Sequence, residues 1–81
     1  MGLAGELREV EDMPLSMARK GEQNTIKRVG GKEDARRFLE SLGFVTGGLV
    51  TVVSEMGGNL IVTIRDSRVA IGKGMASKII V

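Results

Sequence analysis

The clearest periodicity in the chain runs over residues 32–42. Ala35, Phe38, Leu39 and Leu42 recur at steps of 3, 4 and 7, the spacing of one buried helix face. Glu33 and Asp34 fall in the first turn, where the positive end of the helix dipole favours acids. Arg36, Arg37 and Glu40 fall on the opposite side, with Arg36 and Glu40 spaced as an i, i+4 pair. Gly43 stands where a left-handed residue ends a helix, and Phe44 is placed to fold back over the last turn. The start is less marked. No Ser, Thr, Asp or Asn precedes Glu33, which leaves Gly31 or Lys32 as the cap.

Beyond Gly47-Gly48 the period changes from 3.6 to 2. Residues 49–55 read as a strand, with Val50 and Val52 on one face and Leu49, Thr51 and Val53 on the other. Residues 56–59 (Met-Gly-Gly-Asn) form a hairpin connection. Residues 60–65 return, with Leu60, Val62 and Ile64 on one face. Asp66-Ser67 is then expected as a two-residue turn before a strand over 68–71. Residues 72–77 read as a loop or one helical turn, and residues 79–81 as a last short strand. Before the helix, residues 14–18 alternate apolar and polar and predict a short strand with Leu15 and Met17 on one face. Arg19, Lys20 and Gly21 mark a turn. Residues 24–29 predict a second strand with Ile26 in the core, broken by Gly30-Gly31.

This order predicts a mainly β fold with one helix. A single sheet of such short strands leaves open edges and an uncovered apolar face, and curling it buries both. The expected architecture is a small, partly open SH3-like barrel.

Composition sharpens the picture. The chain has 81 residues, with 12 Lys+Arg and 10 Asp+Glu, and a formal net charge of +2. That average hides a split. Residues 1–12 hold Arg8 against Glu6, Glu9, Glu11 and Asp12, a net of −3; residues 13–81 carry the remaining charges, a net of +5. We therefore divide the chain into an acidic leader, 1–12, and a basic domain, 13–81. In the leader Leu3, Leu7 and Val10 have helical spacing, but so short a segment is marginal as an isolated helix. It is read as a frayed segment or as a short helix packed on the domain or a partner.

The chain has no Cys, no His, no Trp and no Tyr, and two Phe. No disulfide and no thiolate or imidazole metal site can be built, and no Ser-His-Asp triad or Cys nucleophile. Metal ligands are restricted to oxygen, which suits Mg or Ca. The apolar runs are only a few residues long, against about 18–20 for a membrane-spanning helix. The acids near the N-terminus are unlike a secretory signal. The expectation is a cytoplasmic protein.

Local motifs with apparent chemistry fail on context. Gly31-Lys32 lacks the preceding Gly of a phosphate loop and has Glu33 where Ser or Thr is required. Gly72-Lys73-Gly74 misses the last Gly of a dinucleotide fingerprint and has no βαβ unit around it. Glu33, Asp34 and Glu40 read as helix-surface acids rather than as a tuned acid–base pair. The chain is thus not expected to be an enzyme. Small barrels that bind single-stranded nucleic acid stack bases on strand aromatics. Here Phe38 lies on the helix and Phe44 just beyond it, so nucleic acid is not an expected partner.

What remains is a protein-binding surface. Val45, Leu49, Met56, Leu60 and Met75 lie at strand ends and loops and need not all fit so small a core. Either they form an adaptable contact surface or the methionines fill gaps inside. Arg36 and Arg37 are candidate docking contacts on the helix.

From Met13 to Val81 the sequence resembles the ferrous iron transport protein A family, FeoA. The resemblance rests on Gly21 and Ile26, the run Phe38-Leu39-Glu40-Ser41-Leu42-Gly43-Phe44-Val45-Thr46-Gly47, and Val50-Thr51-Val52. It continues with Gly58 before Leu60-Ile61-Val62-Thr63-Ile64, Val69-Ala70-Ile71, and the close Met75-Ala76-Ser77-Lys78-Ile79-Ile80-Val81. The sequence departs from the family at Thr46, where Pro is usual, and near Asn59, where Pro is frequent. The resemblance implies an SH3-like barrel with a helical insertion. It implies a non-enzymatic accessory role in iron uptake beside the FeoB-type membrane GTPase-permease, and so a place peripheral to the inner membrane through that partner. No cofactor is expected to bind tightly, ferrous iron being handled by the partner transporter. Self-association is expected to be weak. The alternative reading is a metal-responsive regulatory domain, and a more distant one is a small nucleic-acid-binding barrel.

Overall fold

The computed structural model describes residues 12–81; the helical reading of the leader lies outside the described residues. The elements are a 3-10 turn at Leu15–Met17, β1 (Gln23–Thr25), β2 (Arg28–Val29), α1 (Glu33–Ser41), β3 (Leu49–Met56), β4 (Asn59–Ile64), β5 (Ser67–Gly72), a one-turn α2 (Lys73–Ala76) and β6 (Ile79–Ile80). They form two antiparallel sheets, β1-β3-β4-β5 and β2-β6. The sheets are not joined into a closed barrel, so the architecture is mainly β and partly open.

The core lies between the sheets. Val50, Val52, Leu60, Val62, Ile64 and Ile71 from the large sheet meet Leu15, Ile26, Leu39, Phe44, Ala76, Ile79 and Val81. On β3 the alternation would carry Ser54 inward after Val50 and Val52. A bulge between Val52 and Ser54 resets the register, so that Ser54 faces Ile61 on the outer side. The first hairpin closes on Gly57-Gly58 alone, both at positive φ (53° and 85°), which matches the right-handed twist of the flanking strands. Strands β3 and β4 therefore run into Met56 and Asn59, which were expected in the connection.

Five local expectations are corrected. Residues 14–18 are not a strand. Only Pro14 bridges to Ile80; the Met17 N–H then donates to the Pro14 carbonyl (2.9 Å) and the Ala18 N–H to Leu15 (3.0 Å). The resulting turn buries Leu15 and leaves Met17 70% exposed, so the two do not share a face.

Residues 24–29 do not form one strand either. The Ile26 N–H bonds Gly48 (2.8 Å) and the Lys27 N–H bonds Ile80 (2.7 Å), so the chain crosses from the large sheet to the small one at Ile26.

The second hairpin turns at Arg65-Asp66, not at Asp66-Ser67. Ile64 and Ser67 are the closing pair and Arg65 takes φ 57°, a conformation that residue type does not announce.

On α1 Phe38 is 49% exposed, although its spacing places it on the apolar face. Phe44 takes the core position instead. The helix ion pair is Arg37–Glu33 (2.8 Å) rather than Arg36–Glu40.

Candidate functional site

The end of α1 shapes the region that follows. The Gly43 N–H donates to Glu40 (3.0 Å) and the Phe44 N–H to Leu39 (3.0 Å), the two bonds of a Schellman motif. Gly43 takes φ 109°, which a side chain disfavours. The motif turns the chain back so that Phe44 joins Leu39 in the buried core and Val45 comes to line a recess beside the large sheet. The 45–48 loop is then fixed from two sides. The Gly48 N–H bonds Val45 (2.9 Å), the Gly47 N–H bonds Ile26 (2.8 Å), and the Gly48 carbonyl accepts from Ile26. Leu49 follows as the first residue of β3, opposite Thr25, and is 50% exposed.

Across the sheet, Gln23, Thr51, Thr63 and Arg68 stand opposite one another in a row on the outer face. The first three floor a shallow recess of about 300 Å³. Gly43, Val45, Gly48 and Leu49 form one wall, and Ile64, Arg65 and Asp66 the other. The recess is apolar on the Leu49 side, hydroxyl- and amide-lined on the floor, and carries one charge of each sign at the hairpin turn. It has the makings of a contact surface: an exposed aliphatic anchor beside groups able to donate and accept hydrogen bonds.

The candidate contact residues do not converge. Val45 and Leu49 share the recess. Met56, 67% exposed, lies at the other end of β3, roughly 23 Å away at the usual rise per residue. Leu60 is 3% exposed and belongs to the core, so it offers no contact surface. Met75 is partly buried and packs against the core. Arg36 and Arg37 are exposed on α1, Arg37 being held by Glu33. Gln23, Thr51, Thr63, Arg65 and Asp66 were not anticipated. Thr51 and Thr63 were legible as outward positions of their strands, but their pairing required the register.

The perturbed carboxylates lie elsewhere. Glu55, near the Met56 end, is held below its ordinary pKa by a hydrogen bond from Lys73 and by the charge of that ammonium. Asp12 is lowered likewise, first by a hydrogen bond from Lys27 (3.1 Å) and then by the Lys27 and Arg28 charges. Among the described residues no three Asp or Glu side chains gather into a metal-holding cluster, and no helix is long and apolar enough to cross a membrane.

Fold and recess together define a small SH3-like domain with an open patch on its larger sheet. Residues 13–81 match the FeoA domain family. The chain is 34% identical over 68 residues to a protein of Methanocaldococcus jannaschii that bears the name Fe(2+) transport protein A, covering 84% of this chain and 83% of that one. It superimposes on a crystal structure of the iron uptake regulatory protein FeoA with a TM-score of 0.79 at 31% identity, covering 86% of this chain and 93% of that one. It also superimposes on Stenotrophomonas maltophilia FeoA in complex with zinc, described there as a procaryotic SH3 domain protein. That match has a TM-score of 0.73 at 26% identity and covers 83% and 86% of the two chains. This chain belongs to the FeoA family, a family of ferrous iron transport.

Proposed function

We propose that this protein is a non-enzymatic, cytoplasmic accessory of ferrous iron uptake, which docks on the GTPase domain of a FeoB-type membrane permease and adjusts its activity or assembly. The observation that carries the docking face is the recess. There Leu49 is half exposed at the rim of a preformed surface, with Val45 beside it. An exposed apolar side chain that a partner can bury, ringed by polar groups that keep water out, is the arrangement that a protein interface needs at its centre. In this reading iron is the cargo of the partner. The chain supplies neither imidazole nor thiolate, so it is not expected to hold Fe(II) tightly.

The test is a titration of isotope-labelled protein with the purified GTPase domain. The expected result is saturable binding with shifts at Val45, Leu49, Thr51, Thr63 and Asp66. No binding at micromolar concentration sinks the proposal; binding with shifts elsewhere sinks the face.

One observation favours a second reading. A structural relative was crystallised with zinc, which fits a metal-responsive domain. Titration with Fe(II), Mn(II) and Zn(II) separates the two: saturable binding through carboxylates would favour this alternative.

A further inference from the structure

The two edges of the large sheet are not alike. At one edge β1 has three residues, and beyond it the chain turns away into the small sheet. At the other edge β5 runs for six residues, and among the described residues no strand pairs with its outer side. The two-residue turn closes on the pair Ile64–Ser67, so hydrogen-bonded pairs alternate from there. Val69 and Ile71 spend their main-chain groups on β4. Arg68 and Ala70 point theirs outward, as does the Gly72 N–H. The side chain of Ala70 is exposed on the outer face. Edges of this kind pair with further strands unless they are blunted.

We propose that β5 pairs with β5 of a second copy of this chain, antiparallel about a two-fold axis at Ala70. The register follows from charge. With the axis at Ala70, Arg68 stands opposite Gly72 of the second copy, which has no side chain to oppose the guanidinium. The two Arg68 residues are then four positions apart along the ladder, roughly 14 Å, beyond the screening length at physiological salt. Moving the axis one residue, to Val69, would set the two guanidinium groups diagonally adjacent and repelling. Ala70 meets Ala70 at the centre, the smallest side-chain pair that a strand offers. The outer-face row Ile61–Ala70 is thereby continued into the second copy without a charge in it.

Reciprocal bonds between the two Ala70 residues, and from each Gly72 N–H to Arg68 of the other copy, would join two four-stranded sheets. One short strand buries less area than a stable dimer needs, so the association is weak, with a dissociation constant on the order of 1 mM. The recess of the docking site reaches from β1 to the Arg65-Asp66 turn, but it shares no residue with the edge 68–72 and its anchors are Val45 and Leu49, so the pairing stands independently of the docking proposal.

The test uses the full chain. Sedimentation from about 0.05 to 2 mM should show a monomer–dimer equilibrium, and amide shifts should grow with concentration at residues 67–73. An isotope-filtered NOE between the α-protons of Val69 and Ile71 in different copies should fix the register. Ala70→Lys places two ammonium groups face to face on an exposed position and should weaken association at least tenfold. Ala70→Pro removes only the outward donor and should do the same, which guards against a folding defect in either variant. Three outcomes overturn the proposal: a monomer at every concentration, concentration-dependent shifts centred on Val45 and Leu49, or a Val69–Val69 contact in place of Val69–Ile71.

Discussion

Strand β3 carries a large exposed apolar side chain at each end, Leu49 and Met56, and the two ends are built differently. At the Leu49 end three connections converge: the Schellman close of α1, the doubly bonded 45–48 loop and the Arg65-Asp66 turn. They wall a recess before any partner arrives. At the Met56 end the hairpin closes on two glycines with open space around both, and one backbone bond from the Lys73 N–H to Gly58 (3.0 Å) and an exposed Lys73–Glu55 pair tie it to α2. Exposure alone would rank Met56 first. For the proposed docking, what favours Leu49 is preorganisation, because a surface held in one shape beforehand loses little conformational entropy on binding.

The largest effect expected is at the buried support of the Leu49 end. Phe44 is fully buried in the same core as Leu39, and Phe44→Ala should cost about 3–5 kcal/mol in chemical denaturation. For a domain of this size that is much of the total stability. Next comes the direct comparison of the two rims. Leu49→Asp should weaken binding to the GTPase domain at least tenfold with little change in melting temperature, and Met56→Asp should leave it within twofold. Equal losses from both would show that the two ends act as one surface.

The second half of the chain was far more legible than the first, for a physical reason. Strands β3 and β4 bury one face along their length, so Val50, Val52, Leu60, Val62 and Ile64 announce themselves by strict alternation. Residues 14–29 bury single side chains, Leu15 and Ile26, on segments too short for any period to show. Five residues of alternation fit a strand and a 3-10 turn equally well. The helix misled in one position, because α1 covers the sheets with a narrow stripe that leaves Phe38 at its margin. The recess was half legible. Val45 and Leu49 were named from their place at a loop and a strand end, whereas Gln23, Thr51, Thr63 and Asp66 are brought together by cross-strand register. The turn that positions Asp66 depends on an arginine at positive φ, a residue that gives no turn signal.

Gly43 tests whether the wall of the recess must be held in place. A Cβ there would lie 3.4 Å from Ile64 Cγ1 and 3.5 Å from Arg65 Nε, so space is adequate and the backbone angle decides. Gly43→Ala should cost about 1 kcal/mol for forcing a side chain into the left-handed region. It should also weaken partner binding, because Val45 and Arg65 flank that residue. Stability lost with affinity unchanged would mean that the recess tolerates a displaced wall.

The smallest effect lies at the opposite end and is read by pH. The Glu55 pKa is lowered in the fold by Lys73, so the pair stabilises the native state above the ordinary carboxylate value of 4.5. That contribution fades as the pH falls through the lower native value. Both side chains are substantially exposed, so the contribution is small and screened by salt. Melting temperatures of the native sequence and Glu55→Gln should differ slightly at pH 7 and converge below pH 4.5. Asp12 titrates in the same acid range against Lys27 and Arg28, but it is present in both proteins and cancels in the difference. A gap that persists into acid would assign Glu55 a role independent of its charge. The Met56 end, which a backbone bond from the Lys73 N–H to Gly58 (3.0 Å) also holds, would then owe more to Glu55 than an exposed ion pair, and the contrast with the Leu49 end would narrow.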